Sequence, residues 1–468
     1  MVLVEQWKKG ISLNKNRKLP RKVYESPRLA ALELLVQVSE ENAYSNLLLK
    51  SYMTKHRLSD KDARLMTEIV YGTISRRITL EYGLTDFVED TSKIENWVKE
   101  LLLLSMYQME YLDKVPVYSV ISEAVEIAKA KGNQGIARYV NGVLRNIQRQ
   151  GPRPISEIKN RLKRLSTEIS LPKWLTKKLV DDIGYEETEK LGFSLLEASH
   201  VSARVDTRKI SLDEAIEKLQ GEGIDARRSL VSSFGVVADK GFLAGSTLFK
   251  EGLLTIQDES SMLVAPSMQI KENSKVLDAC AAPGGKTMHI ATFLEEEKGG
   301  EVTALDIYDH KIKLIEENAE RLGVSNVVQT KLLDAREVVT HFEDDSFDRI
   351  LVDAPCSGLG LLRRKPDIKY SKSKEDFVEL QKIQLEILES IVTKVKEWGI
   401  ITYSTCTITS EENKEVIDIF LEKHPNFEKI DLVGVENVAA SYEDKMLQIY
   451  PHQYQTDGFF ICSLQRKA

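Results

Sequence analysis

Cysteine is scarce in this chain of 468 residues, and the spacing of its few cysteines excludes two common roles. The four are Cys280, Cys356, Cys406 and Cys462, and no two of them form a Cys-x-x-Cys pair. Neither a zinc site nor a redox dithiol is therefore predicted. The seven histidines show no metal-ligand spacing either, so we expect no metal. Few and widely separated cysteines are typical of proteins in a reducing cytoplasm.

Long apolar runs and an excess of positive charge are also missing. No run of about 18 apolar residues, the length that spans a bilayer, occurs, and the opening MVLVEQWKKG has too short an apolar run to predict a signal peptide. Lys and Arg number 65 against 72 Asp and Glu, so we expect local basic patches to carry any nucleic-acid binding. The composition is that of a folded protein, with a monomer as the default, and the length predicts about three domains.

The pattern along the chain predicts a multidomain protein that changes from helical to α/β. Residues 1–22 form a basic tail, 23–150 an all-α domain, 151–170 a basic linker, 171–265 a small α+β lead-in module and 266–468 a domain of alternating strands and helices. Such alternation predicts a parallel, doubly wound, Rossmann-like sheet. The tail and the linker are either solvated or in contact with RNA. The candidates for RNA contact around the linker are Arg149, Arg153, Arg161, Lys163 and Arg164.

Ligands bind beyond the carboxyl ends of the strands in such a sheet, and a loop of small residues follows the first predicted strand of the last domain. The loop, whose small residues let a ligand approach the backbone, consists of Cys280, Ala281, Ala282, Pro283, Gly284, Gly285 and Lys286. Its Gly285-Lys286-Thr287 end also fits a phosphate-binding P-loop, but Cys280 stands where that motif has its first glycine. A P-loop NTPase is therefore an open alternative.

Two aspartates follow the next two predicted strands. Asp306 ends the second strand, where a carboxylate can bind the two hydroxyls of a ribose. Asp334 comes just after the third strand and could accept a hydrogen bond from an adenine amino group, although helix capping explains it equally well. Asp306 in particular indicates a nucleoside ligand with a free ribose.

The fourth and fifth predicted strands are each followed by a cysteine. Asp353-Ala354-Pro355-Cys356 comes at the end of the fourth strand and Thr405-Cys406 at the end of the fifth. We expect these strands to be neighbours, so that both thiols face one crevice. Thr409 and Glu412 have the spacing of a capping box, and a helix N-terminus there would favour a thiolate nearby.

One reaction needs a nucleoside cofactor, a thiolate and a carboxylic acid together. A thiolate that adds to carbon 6 of cytosine makes carbon 5 nucleophilic, and an aspartate can hold the ring nitrogen and the amino group. The methyl group that carbon 5 then attacks would come from S-adenosylmethionine, whose ribose Asp306 would bind. The sequence thus favours methyl transfer to cytosine.

These motifs resemble those of the NOL1/NOP2/Sun family of RNA cytosine-C5 methyltransferases. The matching stretches are DACAAPGGKT, ALDIYDHK, LLDAR, DAPCSGLG, RRKPDIKY and YSTCT. In the N-terminal region, SPRLAALELL, DARLMTEIVYGT and RYVNGVLRNI resemble a NusB-like RNA-binding domain. That domain points to the branch of the family that methylates cytosine 967 of 16S ribosomal RNA. The stretch ARVDTRK resembles the family's RNA-recognition-like lead-in, with Asp206 where an asparagine is usual.

The resemblance implies roles for the candidate residues. Cys406 would be the nucleophile, Cys356 would aid release of the methylated product, and Asp353 would hold the base. The groups that would bind S-adenosyl-L-methionine are the loop Cys280–Lys286, Asp306, Asp334 and Asp353. The basic residues that would contact RNA phosphates beside the crevice are Arg363, Arg364 and Lys365. The partner would be 16S ribosomal RNA, free or in an early small-subunit particle; a non-catalytic RNA-binding assembly factor is a further alternative.

Overall fold

The computed structural model describes Val23 and residues 25–41, 44–56 and 58–468, so the predicted basic tail of residues 1–22 lies outside the described residues. The chain divides into two compact units. The first runs up to Leu196 and includes the separate segment Lys365–Ser371, and the second consists of Glu197–Arg364 and Lys372–Ala468. None of the described helices is both long and apolar enough to cross a membrane.

The first unit is helical, as the sequence predicts. Its main helices are α1 (Pro27–Glu41), α2 (Ser45–Lys55), α3 (Asp60–Ser75), α4 (Arg77–Leu84), α5 (Asn96–Tyr111), α6 (Val117–Lys131), α7 (Gln134–Gln150), α8 (Arg161–Glu168), α9 (Lys173–Ile183) and α10 (Tyr185–Ser194). Leu32, Met66 and Leu101 are fully buried in its core because apolar residues recur at helical spacing. At the start of α3, the Ser59 side chain accepts a hydrogen bond from the backbone N–H of Asp62 at 3.2 Å.

The segment Lys365–Ser371 is held in this helical unit by polar contacts. Lys369 Nζ donates to the carbonyl oxygen of Ser75 at 2.7 Å, and Ser45 Oγ donates to Asp367 Oδ1 at 2.5 Å. Burial of Lys369, together with two neighbouring arginines, lowers its pKa to about 7. This packing joins Lys369 to Ser75, 294 positions away in the chain, so no local sequence pattern indicates it.

The second unit contains a small antiparallel sheet of four strands, which accounts for the predicted α+β module. The strands are β1 (Val201–Val205), β2 (Asp225–Arg228), β3 (Gly235–Lys240) and β4 (Leu254–Ile256), and their order is β2-β3-β1-β4. Helix α11 (Leu212–Gly221) begins at Ser211 with a capping box that includes Glu214. Ala215 and Leu219 of α11 are buried in the same core cluster as Ala203 and Val205 of β1.

The same unit contains the large sheet that carries the candidate site. Its strands are β5 (Lys275–Asp278), β6 (Glu301–Asp306), β7 (Val328–Leu332), β8 (Phe347–Asp353), β9 (Val395–Thr405), β10 (Phe427–Ile430), β11 (Tyr442–Glu443), β12 (Met446–Ile449) and β13 (Phe459–Arg466). The longer helices of this part are α12 (Gly285–Ala291), α13 (Asp309–Leu322), α14 (Lys374–Ile391) and α15 (Lys414–Lys423).

The order of the strands confirms the predicted parallel sheet and adds an antiparallel edge. Strands β7, β6, β5, β8 and β9 are neighbours in that order and run parallel. Strand β13 pairs antiparallel with β9, and β12 and β10 pair with β13. The sheet therefore brings the carboxyl ends of β5, β6, β8 and β9 to one edge, where a doubly wound fold binds its ligands.

Candidate functional site at the carboxyl edge of the sheet

The loop after β5 passes from the strand to helix α12 as the sequence predicts. The backbone N–H of Ala281 donates to the carbonyl oxygen of Leu305 at 2.8 Å, which ties the loop to the end of β6. Gly284 precedes α12 with φ of 99°, a left-handed conformation that side chains disfavour. A Cβ added at Gly285 would meet no atom within 4 Å, so there is open space over the start of the helix. A ligand can therefore approach the backbone here.

Asp306 lies at the end of β6, next to this loop. Its side chain is 9% exposed, and Oδ1 accepts from the backbone N–H of Tyr308 at 3.0 Å while Lys311 Nζ lies 3.6 Å from Oδ2. The carboxylate is thus held in place with one edge still accessible. Such a group, at the end of the second strand, fits the two hydroxyls of a ribose.

Asp334 follows β7 and serves as a cap. Its Oδ1 accepts from the backbone N–H of Arg336 at 2.9 Å, and the Arg336 guanidinium lies 2.7 Å from Oδ2. Hydrogen bonding by Arg336 lowers the pKa of Asp334. Of the two explanations that the sequence left open, the structure shows the capping contact directly.

Asp278 is a buried carboxyl group that the sequence analysis did not single out. It is fully buried at the end of β5, and Thr287 Oγ1 donates to its Oδ2 at 2.7 Å. Its other oxygen, Oδ1, has no hydrogen-bond partner, and burial raises the pKa of Asp278 to about 7. An unpaired buried oxygen beside an open loop fits a donor from a bound cofactor. The sequence did contain a signal for this residue, because Asp278 is an acidic residue within the otherwise apolar stretch VLDA of β5 and the residue after it.

Lys286 and Asp353 form an ion pair between the loop and the end of β8. Lys286 Nζ lies 2.7 Å from Asp353 Oδ2, and Ser404 Oγ of β9 donates to Asp353 Oδ1 at 2.8 Å. Burial acts to lower the pKa of Lys286, but the attraction of Asp353 outweighs it, so the pKa is raised. The lysine therefore stays charged and fixes the carboxylate in orientation.

The two cysteines predicted to share a crevice are in direct contact. Strands β8 and β9 are parallel neighbours, with Asp353 beside Ser404, and the Cys356 and Cys406 Sγ atoms lie 3.3 Å apart. The contact with Cys406 and burial raise the pKa of Cys356 well above that of a free thiol. Cys280 and Cys462, in contrast, have no such thiol partner among the contacts of the described residues.

The predicted capping box at Thr409 and Glu412 is wrong as a helix start. Thr409 Oγ1 donates to Glu412 Oε2 at 2.8 Å, but α15 begins at Lys414 with Asn413 as its cap residue. The Glu412 side chain is instead fully buried and accepts from the backbone N–H of Ser357 at 2.7 Å. This contact joins two side chains, whereas a capping box joins each side chain to a backbone N–H, and Glu412 instead reaches across to the loop that carries Cys356.

Arg363 and Arg364, expected to contact RNA, make contacts within the protein. Arg364 lies 2.6 Å from Asp258 and 3.0 Å from Asp457, and its side chain is 27% exposed. Arg363 donates to the carbonyl oxygen of Ala198 at 2.9 Å. Lys365 is half-buried and belongs to the helical unit.

The other basic candidates lie in the helical unit and are mostly exposed. Arg149 and Lys163 have no carboxylate within ion-pair distance among the residues that the structure describes. Arg161 stacks on the ring of Tyr185 at 3.7 Å, and Arg164 lies 3.6 Å from Glu168. Arg153 lies within 3.4 Å of both Asp86 and Glu157.

The parallel sheet, the ligand loop and the acidic residue after the second strand together define a protein of the Rossmann-like methyltransferase class. Family models match along the chain: "16S rRNA methyltransferase RsmB/F" at residues 265–465, the "NusB family" at 25–149, and the ferredoxin-like domain of "Methyltr_RsmF/B-like" proteins at 171–242. The chain belongs to the ribosomal RNA small subunit methyltransferase B family. Its membership agrees with the resemblance seen in the motifs and overturns the P-loop alternative.

Several full-length relatives support this assignment. The chain is 46% identical over 446 residues to a Bacillus subtilis (strain 168) protein named "Probable ribosomal RNA small subunit methyltransferase B", covering 95% of this chain and 99% of that one. It is 31% identical to a Shewanella oneidensis "Ribosomal RNA small subunit methyltransferase B", with 93% and 98% of the two chains covered. The crystal structure of PH0851 matches 94% of this chain and 98% of its own with a TM-score of 0.78 and 25% identity.

A second solved structure supports the fold. It is described as NSun6 from Pyrococcus horikoshii with SFG, and it covers 64% of this chain and 98% of its own. The TM-score is 0.55 at 23% identity. The small sheet, expected to be RNA-recognition-like, is classed as ferredoxin-like by the family model.

Proposed function

We propose that this protein methylates carbon 5 of cytosine 967 in 16S ribosomal RNA. The observation that carries the proposal is the pair of thiols 3.3 Å apart, at the strand ends that also hold the Lys286–Asp353 ion pair. The relatives named for the ribosomal RNA small subunit support the substrate, and the match to the NusB family supports RNA binding by the helical unit. A cytoplasmic location follows from that substrate.

The cofactor of this methyltransferase is S-adenosyl-L-methionine, which supplies the methyl group. The residues that would hold it are the loop Cys280–Lys286, Asp278, Asp306 and Asp334. Open space over Gly285 and the unpaired Oδ1 of Asp278 both fit a polar ligand at this position. Asp353 would contact both the cofactor and the base, with Lys286 and Ser404 fixing the orientation of its carboxylate.

The chemistry proposed for the two cysteines differs. The Cys406 thiolate adds to carbon 6 of the cytosine, carbon 5 takes the methyl group, and loss of the carbon-5 proton then expels Cys406 and restores the ring. Cys356, whose pKa is raised, stays protonated and aids release of the product. The assignment of Cys406 as the nucleophile comes from the family resemblance, because the distance between the two thiols does not distinguish one from the other. Extruding the base costs least where the cytosine is unpaired.

Transfer of labelled methyl from S-adenosylmethionine to unmodified 16S ribosomal RNA tests the proposal, followed by mapping of the modified base. We expect Cys406→Ala to abolish transfer and Cys356→Ala to accumulate a covalent protein–RNA adduct. Cys462→Ala is the matched control, because this cysteine is buried in β13 and should leave transfer intact.

Two outcomes would point elsewhere. Label on a different base would remove cytosine 967 as the target while leaving the enzyme class in place. RNA binding without methyl transfer by the wild type, on naked RNA and on early small-subunit particles alike, would favour the non-catalytic assembly factor.

A further inference from the structure

Glu412 is a fully buried carboxylate beside the two cysteines whose hydrogen-bond donors are all neutral. Its Oε1 accepts from the backbone N–H of Ser357 at 2.7 Å, and its Oε2 accepts from the hydroxyl groups of Ser357 at 2.6 Å and Thr409 at 2.8 Å. The Thr407 hydroxyl lies 3.2 Å from the same oxygen. Among the described residues no lysine or arginine pairs with Glu412. A buried carboxylate costs free energy unless such donors satisfy it, so its position is set by this cluster.

The donors lie on both of the cysteine loops. Ser357 directly follows Cys356, and Thr407 directly follows Cys406. The Ser357 and Thr407 hydroxyl oxygens are also 2.8 Å from each other, and Gln384, which donates to the carbonyl oxygen of Pro355 at 2.9 Å, lies 3.4 Å from Glu412 Oε1. One side chain thus ties together the residues next to each thiol.

The neighbouring residues fix Glu412 from the other side. The Tyr403 hydroxyl, within β9, donates to the carbonyl oxygen of Glu412 at 2.6 Å. Asn413 Nδ2 donates to the carbonyl oxygen of Thr407 at 3.2 Å, and Thr405 Oγ1 donates to Asn413 Oδ1. The turn that carries Glu412 is therefore anchored to residues on both sides of Cys406, and the carboxylate extends that anchoring to the loop of Cys356.

We propose that Glu412 is a positioning residue that clasps the two cysteine loops and sets the distance between the thiols of Cys356 and Cys406. The role in methyl transfer and product release rests on the proposed function, but the clasp itself does not. The negative charge of Glu412 also acts on Cys356: after the contact with Cys406 and burial, it is a further cause of the raised pKa of Cys356. The charge of Glu412 thereby adds to the larger effects of Cys406 and burial, which raise the pKa of Cys356.

The test measures how fast a mild oxidant, diamide, joins Cys356 and Cys406 in the full-length protein, with the bridge identified by peptide mass mapping. We expect Glu412→Ala to slow this cross-link about tenfold, since the hydrogen bonds that hold the two cysteine loops together are lost. Glu412→Gln keeps an acceptor for the Ser357 N–H and should stay within about threefold of the wild type. Glu415→Gln, an exposed site on α15, is the matched control and should change nothing.

A second measurement separates this role from a general loss of structure. Removal of the charge in Glu412→Gln should lower the pH at which Cys356 reacts with iodoacetamide while the cross-linking rate stays within about threefold of the wild type, whereas a loosened site would change the pH profile and the cross-linking rate together. If Glu412→Ala does not fold, Ser357→Ala removes one donor from the same cluster and should slow the cross-link about threefold.

An unchanged cross-linking rate in folded Glu412→Ala would overturn the proposal. The assay needs neither RNA nor cofactor, so it is independent of the proposed function. If the wild type methylates cytosine and the thiols of Glu412→Ala cross-link as fast as those of the wild type, the clasp alone is refuted. If Glu412→Ala slows the cross-link but the wild type transfers no methyl group, the proposed function alone is refuted.

Discussion

Two groups of basic residues that look alike in the sequence differ sharply in the structure. Arg364, after the cysteine loop of β8, is enclosed by two carboxylates of the same unit, while Arg149 and Lys163 of the helical unit project into solvent. Both groups were expected to contact RNA phosphates. The difference teaches that a cluster of positive charge in a sequence becomes an RNA-binding surface only where no internal carboxylate neutralises it.

The largest expected effect comes from removing Arg364, the enclosed arginine. Arg364→Ala leaves the buried Asp258 carboxylate without its cation, and loss of one partner of a buried pair costs about 3–5 kcal/mol. Chemical denaturation followed by a spectroscopic probe of the second unit would measure the fall in the free energy of unfolding. Lys365→Ala, one residue further on, should change that free energy by less than about 0.5 kcal/mol. A small effect of Arg364→Ala would show that the arginine is free for RNA after all.

The pH dependence of stability tests the same enclosed group through Asp457. Burial and the nearby Asp258 raise the pKa of Asp457 to about 8. In the unfolded chain the carboxyl ionises near pH 4, at about its ordinary pKa. Its contribution to stability is therefore complete below that pH and is lost as the pH rises to about 8. Asp457→Asn cannot ionise, so its Tm should gain a few degrees on the wild type between pH 5 and 9. Parallel Tm curves for the two proteins would contradict this.

Much of the fold and of the candidate site could be predicted because both depend on local pattern. Alternating strands and helices predict a parallel sheet, and because ligands bind at the strand ends of such a sheet, the sequence predicts that Cys356 and Cys406 share one crevice. The domain boundaries and the individual residue roles stay predictions.

The contacts that escaped prediction join distant segments. Ser357 and Glu412 are 55 positions apart, and Arg364 and Asp258 are 106 apart. Neither pair leaves a periodic signal, because hydrogen bonds between buried polar groups depend on tertiary packing alone. Asp278 was missed for a different reason: the sequence shows an acidic residue in an apolar strand, but its unpaired oxygen is visible only in the folded structure.

For the exposed group, the expected effect is on RNA binding and not on stability. Arg149→Gln combined with Lys163→Gln removes two charges that have no carboxylate partner in the described part of the chain. Each lost phosphate contact should reduce the slope of log affinity against log salt by about 0.7 to 0.9, the values for single strands and for duplex DNA. Fluorescence anisotropy with a 16S ribosomal RNA fragment, measured over a salt series, gives the slope. Lys177→Gln is the control, since Lys177 already pairs with Asp181 at 2.6 Å. An equal reduction of the slope in both proteins would refute the distinction between paired and unpaired basic residues.

Arg153 lies between the two groups and is expected to give the smallest effect. It is partly exposed, as an RNA contact requires, but Asp86 and Glu157 both lie within 3.4 Å and its guanidinium stacks over Tyr82 at 5.2 Å. Because these carboxylates already neutralise it, Arg153→Gln should shift the salt slope by less than half of the effect of one unpaired residue. A reduction of the salt slope as large as that of Arg149→Gln alone would mean that RNA phosphates displace the carboxylates beside Arg153. Pairing in the free protein would then no longer separate binding from non-binding arginines, and only burial, as at Arg364, would do so.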